Sequence, residues 1–128
     1  MVKDNLSLML SSIKNGSTSF KSSVHVPTTK VNSQLAILLY NQGYIRGFCI
    51  NNKRTTILLK FTEELKPVIK NIKIISTPGR PVVITHKTLS KLPKNCGSFI
   101  LSTDKGLLTL NEALHKYQVG GKVLCKII

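Results

Sequence analysis

The pattern of apolar residues changes at residues 63–67, and this change most constrains how the chain can fold. Before it, apolar residues recur at helical spacing in two segments and form β-prone runs in three others. After it, the apolar runs are shorter and more strand-like. We therefore predict an α+β protein of two small domains, residues 1–65 and 66–128, and a chain of 128 residues is too short for a large multidomain enzyme.

The first domain is predicted to have the order α-β-α-β-β. Apolar residues between Leu6 and Ile13 recur at the spacing of an amphipathic helix, and Gly16 is placed to end that helix. The other predicted elements are a strand at 24–27, a helix that Thr28 or Thr29 caps, and a hairpin of strands at 44–50 and 55–61.

The second domain is predicted to be mostly β, with one short helix. Thr109 and Glu112 have the spacing of a capping box, which indicates where that helix begins. Pro78 and Gly79 favour a type II turn at 77–79, and Gly120-Gly121 leads into the last strand. The predicted strands are at 69–76, 82–85, 98–103 and 122–128.

The net charge of +14 indicates a polyanionic partner, because this much uncompensated charge costs self-repulsion in a folded protein. Residues 1–64 hold eight basic and three acidic residues, whereas residues 65–128 hold eleven and two. The basic residues occur singly between apolar ones, which is typical of a basic face that binds nucleic acid. The apolar runs are too short to span a membrane, and the amphipathic helices have serine- and asparagine-rich polar faces, so we expect no membrane partner.

Catalysis is not supported by the residues available. The chain has five carboxylates, and His25, His86 and His115 are widely separated and lack nearby acidic ligands. Neither a P-loop nor a GxGxxG motif occurs. We therefore expect no enzymatic activity, no metal, no cofactor and no small-molecule substrate. The three cysteines fit neither a disulfide framework nor a zinc motif, which indicates a reducing compartment.

The sharpest local feature is the segment 102–106, Ser-Thr-Asp-Lys-Gly, after the strand predicted at 98–103. Hydroxyls and backbone N–H groups at the end of a strand can donate to phosphate or to a ribose 2′-OH, and Lys105 adds a positive charge there. Read by itself, this segment is a turn with a lysine.

In its context, the segment resembles the C-terminal signature of the ribosomal protein S8 family of the small subunit, which typically has Ser-Thr-Ser-Lys-Gly. The similarity continues in Glu112-Ala113 and in 119–125, Val-Gly-Gly-Lys-Val-Leu-Cys. Upstream it includes 76–80, Ser-Thr-Pro-Gly-Arg, the segment 27–30, Pro-Thr-Thr-Lys, and Gly43-Tyr44-Ile45. The opening helix, which ends in 13–16, Ile-Lys-Asn-Gly, also fits, so the landmarks follow the family order over nearly the whole chain.

The resemblance implies a structural constituent of the small ribosomal subunit that binds the central domain of its rRNA, mainly through the C-terminal domain, and supports assembly and translation. Its partners would be that rRNA and neighbouring small-subunit proteins. The alternative is a free-standing RNA-binding translational regulator, and a small basic nuclease comes third. The implied RNA-binding residues are Ser102, Thr103, Asp104, Lys105, Gly106, Arg80, Lys30 and Lys14.

Two positions depart from the family pattern. Asp104 replaces a serine, and its carboxylate would repel phosphate; Val83 stands where many bacterial members carry an aromatic residue. These departures and the Lys-, Asn- and Ile-rich composition favour a ribosome in the mitochondrial matrix, with the plastid stroma or the bacterial cytoplasm as alternatives.

Overall fold

The computed structural model describes residues 5–76, 79–91 and 98–128, and its internal contacts divide the chain into two units. Unit 1 is Met1–Asn71 and unit 2 is Ile72–Ile128. The division between the units falls a few residues after the predicted boundary at 65. That each unit is a domain with its own role stays a prediction.

Unit 1 has the predicted order of two helices and three strands. Its elements are α1 (Asn5–Thr18), β1 (Ser23–Pro27), α2 (Lys30–Asn41), β2 (Ile45–Ile50) and β3 (Arg54–Leu59). The strands form an antiparallel sheet in the order β1-β3-β2, in which Val24 and Phe48 both lie opposite Ile57. Both helices pack against this sheet, and their apolar faces are buried. The largest buried apolar residues of the two helices are Met9, Leu10, Ile13, Leu35 and Leu39.

The ends of the two helices test the predicted caps. Thr29 caps α2, because its Oγ1 accepts a hydrogen bond from the backbone N–H of Asn32 at 3.1 Å. The prediction for Gly16 is wrong: α1 continues to Thr18, and Gly16 is buried against β1. A Cβ on Gly16 would lie 2.5 Å from Val24 Cγ1, so this glycine permits close packing of the helix on the strand.

Unit 2 is built around its C-terminal strand. Its elements are β4 (Ile72–Ile74), β5 (Val83–Ile84), α3 (His86–Leu89), β6 (Ser98–Thr103), β7 (Gly106–Thr109), a π-helix (Glu112–Lys116) and β8 (Gly121–Ile127). β6 pairs with one edge of β8, and β4 and β5 pair with successive parts of its other edge. β7 extends the sheet beyond β6, and every pairing is antiparallel.

The core of unit 2 lies between the sheet and the π-helix. Leu101, Leu108 and Val123 are buried on neighbouring strands, and Ala113 packs against them from the π-helix. The predicted capping box is present, since Glu112 N donates to Thr109 Oγ1 at 3.2 Å and Thr109 N donates to Glu112 Oε1 at 3.3 Å. The helix that follows is a π-helix, which the capping pattern does not distinguish from an α-helix.

Four elements of unit 2 differ from the prediction. The described residues of unit 2 form two short helices instead of one, because 86–89 is helical, and they include the strand β7, which the sequence does not predict. β4 and β5 are shorter than the apolar runs that predicted them. Thr77 and Pro78 of the predicted type II turn lie outside the described residues. No helix within the described ranges is long and apolar enough to cross a membrane.

Candidate nucleic-acid interface

The segment 102–106 forms the tip of a tight hairpin between β6 and β7. Thr103 pairs with Gly106, so Asp104 and Lys105 form the turn, and both of these side chains are exposed. Gly106 has a φ of +100°, a left-handed value that disfavours any side chain. The hairpin therefore holds the five residues of the predicted binding segment close together.

The hydroxyl of Thr103 is used within this turn. Thr103 Oγ1 donates to the carbonyl oxygen of Gly106 at 3.0 Å and accepts from the backbone N–H of Lys105 at 3.1 Å. Its one hydrogen is therefore already engaged, and Thr103 can offer RNA only an acceptor. The role that the geometry supports for Thr103 is to position Asp104 and Lys105.

Ser102 differs from Thr103 because its side chain has a hydrogen available. It is half-buried, and within the described part of the chain its hydroxyl makes no hydrogen bond. Ser102 is opposite Leu107 on one side and Lys122 on the other, so these three side chains lie on the same face of the sheet. A free hydroxyl beside an ammonium group is suited to binding a phosphate or a ribose oxygen.

Lys122 is a candidate that the sequence reasoning missed. The sequence predicts that Lys122 begins a strand, but the strand pairing that places it beside Ser102 is a long-range feature. On its other side, Lys122 is opposite Val83, which is 70% exposed. The row Val83, Lys122, Ser102 and Leu107 forms an accessible strip across four strands, which we call the Ser102 strip.

Gly120 and Gly121 allow the backbones of the two strands on either side of β8 to lie close to this part of the chain. A Cβ on Gly121 would overlap the carbonyl oxygen of Ser102 and would lie 2.8 Å from Thr103 Cγ2. A Cβ on Gly120 would overlap the carbonyl oxygen of Ile84. The two glycines are thus required by close backbone contacts on both sides of β8, in addition to leading into that strand.

Arg80 lies in the connection between β4 and β5, in the same unit as the hairpin, and its side chain is exposed. This connection is fastened to the sheet by Ser76, whose buried hydroxyl donates to the carbonyl oxygen of Val123 and accepts from the backbone N–H of Val82 at 2.9 Å. The chain then enters β5, which pairs with β8 at Lys122. Arg80 therefore lies in the segment that leads into β5, and β5 forms the end of the Ser102 strip that is farthest from the hairpin.

Lys30 and Lys14 belong to unit 1 and lie on different helices. Lys30 is exposed in the first turn of α2, and Lys14 is exposed on α1. The loop before Lys30 is tied to the β2–β3 hairpin, because Thr28 Oγ1 donates to the carbonyl oxygen of Asn51 at 2.7 Å. That hairpin borders a shallow cavity of about 540 Å³ that is lined by Asn51, Asn52, Lys53, Arg54 and Thr56.

Two of the three histidines, His25 and His86, form hydrogen bonds to residues distant in sequence. His25 Nδ1 is 2.9 Å from Thr56 Oγ1, and His86 Nε2 is 3.1 Å from the carbonyl oxygen of Leu114. Among the described residues, no group of three or more His, Cys, Asp or Glu side chains could hold a metal ion. The absence of a metal or cofactor in function stays a prediction.

Comparisons with known proteins agree with the landmarks of the sequence. The family model described as Ribosomal protein S8 matches residues 4–128. The chain is 43% identical to "Small ribosomal subunit protein uS8m" of Acanthamoeba castellanii over 125 residues, which cover 95% of this chain and 97% of that one. It is 35% identical to the uS8 protein of Desulfovibrio desulfuricans and to the uS8c protein of Chlorella vulgaris, with 99% of each chain covered.

Proposed function

The chain belongs to the ribosomal protein S8 family and is a structural constituent of the small ribosomal subunit, and from this premise we propose that unit 2 binds the central domain of the small-subunit rRNA. The observation that carries this proposal is the Ser102 strip next to the hairpin tip. Together, the strip and the tip combine the free hydroxyl of Ser102 with the ammonium groups of Lys122 and Lys105.

The chemistry of this surface suits RNA whose backbone is irregular. Cations neutralise phosphates and release counterions, which gives affinity but little selectivity. Hydroxyls at fixed positions discriminate between phosphate oxygens, ribose 2′-OH groups and base edges, and these positions depend on the shape of the RNA. The rigid turn that Thr103 closes keeps both kinds of group at fixed positions.

The predicted RNA-binding residues take different parts in this proposal. Ser102, Lys105 and Arg80 contact RNA directly, and Thr103 and Gly106 shape the turn. Asp104 lies at the exposed tip, where its carboxylate can accept a hydrogen bond from a 2′-OH or a base amino group but opposes phosphate. Lys30 and Lys14 contribute charge from unit 1.

The proposed partners are the small-subunit rRNA and adjoining small-subunit proteins. The S8 family is structural and non-enzymatic, and we propose that this chain likewise has no catalytic activity. Family membership favours a ribosomal constituent over a free-standing translational regulator. For the compartment we propose the mitochondrial matrix, because identity is higher to the mitochondrial relative than to the bacterial and plastid relatives named above.

Sucrose-gradient sedimentation of lysed organelles or cells tests this function. At high salt the protein should sediment with the small subunit in a ratio of about one copy per particle, because its contacts are shape-specific as well as ionic. Recovery only in the soluble fractions at the top of the gradient would refute the proposal and favour the regulator. Fractionating mitochondria, plastids and cytosol before the gradient tests the compartment.

A further inference from the structure

Both helices of unit 1 end in a Schellman motif, but a different type of residue adopts the left-handed conformation in each. Gly43, with φ +80°, ends α2, whereas Phe20, with φ +57°, ends α1. At Phe20 the hydrogen bonds are those of a Schellman motif: Phe20 N donates to the Ser17 carbonyl at 3.3 Å, and Lys21 N donates to the Gly16 carbonyl at 2.9 Å. A phenylalanine in this conformation has a steric cost that glycine avoids.

The Phe20 side chain does not offset this cost by burial. It is 64% exposed, and its ring stacks on Phe61 with the centroids 6.0 Å apart and an interplanar angle of 25°. Phe61 is half-buried and bridges to Pro67. The Phe20 ring is therefore supported by a second ring and remains largely accessible to another molecule.

Leu65 repeats this combination of a left-handed backbone and an exposed apolar side chain. Its φ is +63° and it is 73% exposed, in the turn between Phe61 and Pro67. The turn is held by the bond from Thr62 N to the Lys66 carbonyl at 2.8 Å. Unfavourable backbone conformations that persist on the surface are frequent at functional sites. Because Phe61 stacks on Phe20 and Leu65 follows Phe61 by four residues in the turn, we group Phe20, Phe61 and Leu65 as the Phe20 patch.

The charges beside the Phe20 patch favour a protein over RNA. Glu63 and Glu64, two of the five acidic residues of the chain, lie in the same turn as Leu65 and are exposed. Lys66 Nζ lies 3.4 Å from Glu64 Oε2, and no ion pair engages Glu63 within the described ranges. Carboxylates repel phosphate, whereas they attract the lysine and arginine side chains in which RNA-binding proteins are rich.

We propose that the Phe20 patch is the docking site for an apolar side chain of a basic, neighbouring protein of the small ribosomal subunit, with Glu63 pairing with a cation of that partner. The inference rests on the proposed function, because that function places the chain next to other proteins of the small subunit. Exposed aromatic and leucine side chains beside polar groups have the composition of a small interface core with its rim. This surface lies in unit 1 and is separate in sequence from the Ser102 strip.

A double variant, Phe20→Gly with Leu65→Gly, separates docking from folding. Glycine accepts both left-handed conformations, so the variant should fold with a melting temperature close to that of the native protein. Its affinity for small-subunit particles depleted of this protein should fall about tenfold or more, because truncating central apolar anchors weakens an interface. Its affinity for an rRNA fragment of the central domain should be unchanged. The matched control is Val31→Ala with Ile37→Ala, since these residues are 42% and 44% exposed on α2.

The outcomes distinguish this inference from the proposed function. If the native protein binds neither particles nor rRNA, the proposed function fails; if the native protein binds and the double variant binds particles equally well, only the docking site is refuted. Equal losses on particles and on rRNA would identify an RNA contact and would also refute the docking site.

A photoreactive benzoylphenylalanine at position 20 should cross-link, in assembled subunits, to a protein peptide rich in lysine or arginine. Cross-links to rRNA, to a second copy of this chain or to nothing would overturn the inference.

Discussion

Ser102 and Lys122 are directly opposite each other on β6 and β8, and this pairing joins the hydroxyl of the predicted binding segment to a cation twenty residues further along the chain. The proximity depends on Gly121, whose lack of a side chain lets the backbone of Ser102 approach β8. The candidate surface is thus a property of the sheet as well as of the hairpin turn.

Lys122→Ala should weaken binding to the rRNA fragment about as much as Lys105→Ala does. Each substitution should reduce the slope of log affinity against log salt by about 1, as expected for the loss of one phosphate contact. Filter-binding titrations at several salt concentrations provide the measurement. Lys73→Ala is the matched control, because Lys73 is an exposed lysine of the same unit that lies opposite Lys126, towards the other end of β8. A loss of the same size for Lys73→Ala would show diffuse charge attraction instead of a site.

Asp104→Ser should strengthen binding to rRNA several-fold. The substitution removes a negative charge from the exposed tip of the hairpin and adds a hydroxyl that can donate to phosphate. Asp104→Ala removes the charge without adding a donor, so comparing the two variants separates the effect of the charge from that of the hydroxyl. The same titrations measure both, and weaker binding of the two variants would show that the Asp104 carboxylate itself accepts a hydrogen bond from RNA.

Thr103→Val should destabilise unit 2 by about 1 kcal/mol, because it removes the hydroxyl that bonds to Gly106 and Lys105. Thr103→Ser keeps that hydroxyl, so its free energy of unfolding should decrease much less. Urea unfolding followed by circular dichroism gives the free energies of unfolding. Ser102→Ala is the contrasting variant, since it should weaken RNA binding with little change in stability. If Thr103→Val left the stability unchanged, the turn would not depend on these bonds.

How much of the fold and of the candidate site can be predicted from the sequence depends on whether each feature is set by local or by long-range interactions. Local signals were sufficient for the Thr29 cap, the Thr109–Glu112 capping box and the β6 strand, which spans the predicted residues 98–103. The prediction for Gly16 is wrong because glycine both ends helices and permits close packing, and only the position of β1 decides between these roles. Lys122 was missed because strand register is set by the whole sheet. The specific role of each binding residue remains a prediction.

Gly121→Ala should cost about 2 kcal/mol or more of stability. The new methyl group would overlap the carbonyl oxygen of Ser102, and backbone on a neighbouring strand cannot move aside as a flexible side chain can. Gly79→Ala is the matched control, since a Cβ there would have no atom of the described residues within 4 Å. Thermal unfolding of both variants measures the difference. Equal stability of the two variants would show that β8 can shift away from β6 at little cost.

Cys125 should make the stability of the protein fall at alkaline pH. Burial raises the pKa of its thiol from 9.0 to about 12, because the thiolate loses solvation in the interior. The raised pKa means that the folded state keeps a proton that the unfolded state releases. The contribution of the protonated Cys125 thiol to the stability of the fold is therefore complete below about pH 9, and it is lost as the pH rises from 9 towards 12.

Comparison with Cys125→Ala isolates this effect from the titration of lysines and tyrosines. Between pH 9.5 and 11, the free energy of unfolding of the native protein should fall by about 1.4 kcal/mol per pH unit more steeply than that of the variant. Denaturant unfolding under reducing conditions at each pH provides the values. Parallel pH profiles for the two proteins would mean that the Cys125 thiol ionises as readily in the folded chain as in the unfolded one, which its 1% exposure opposes.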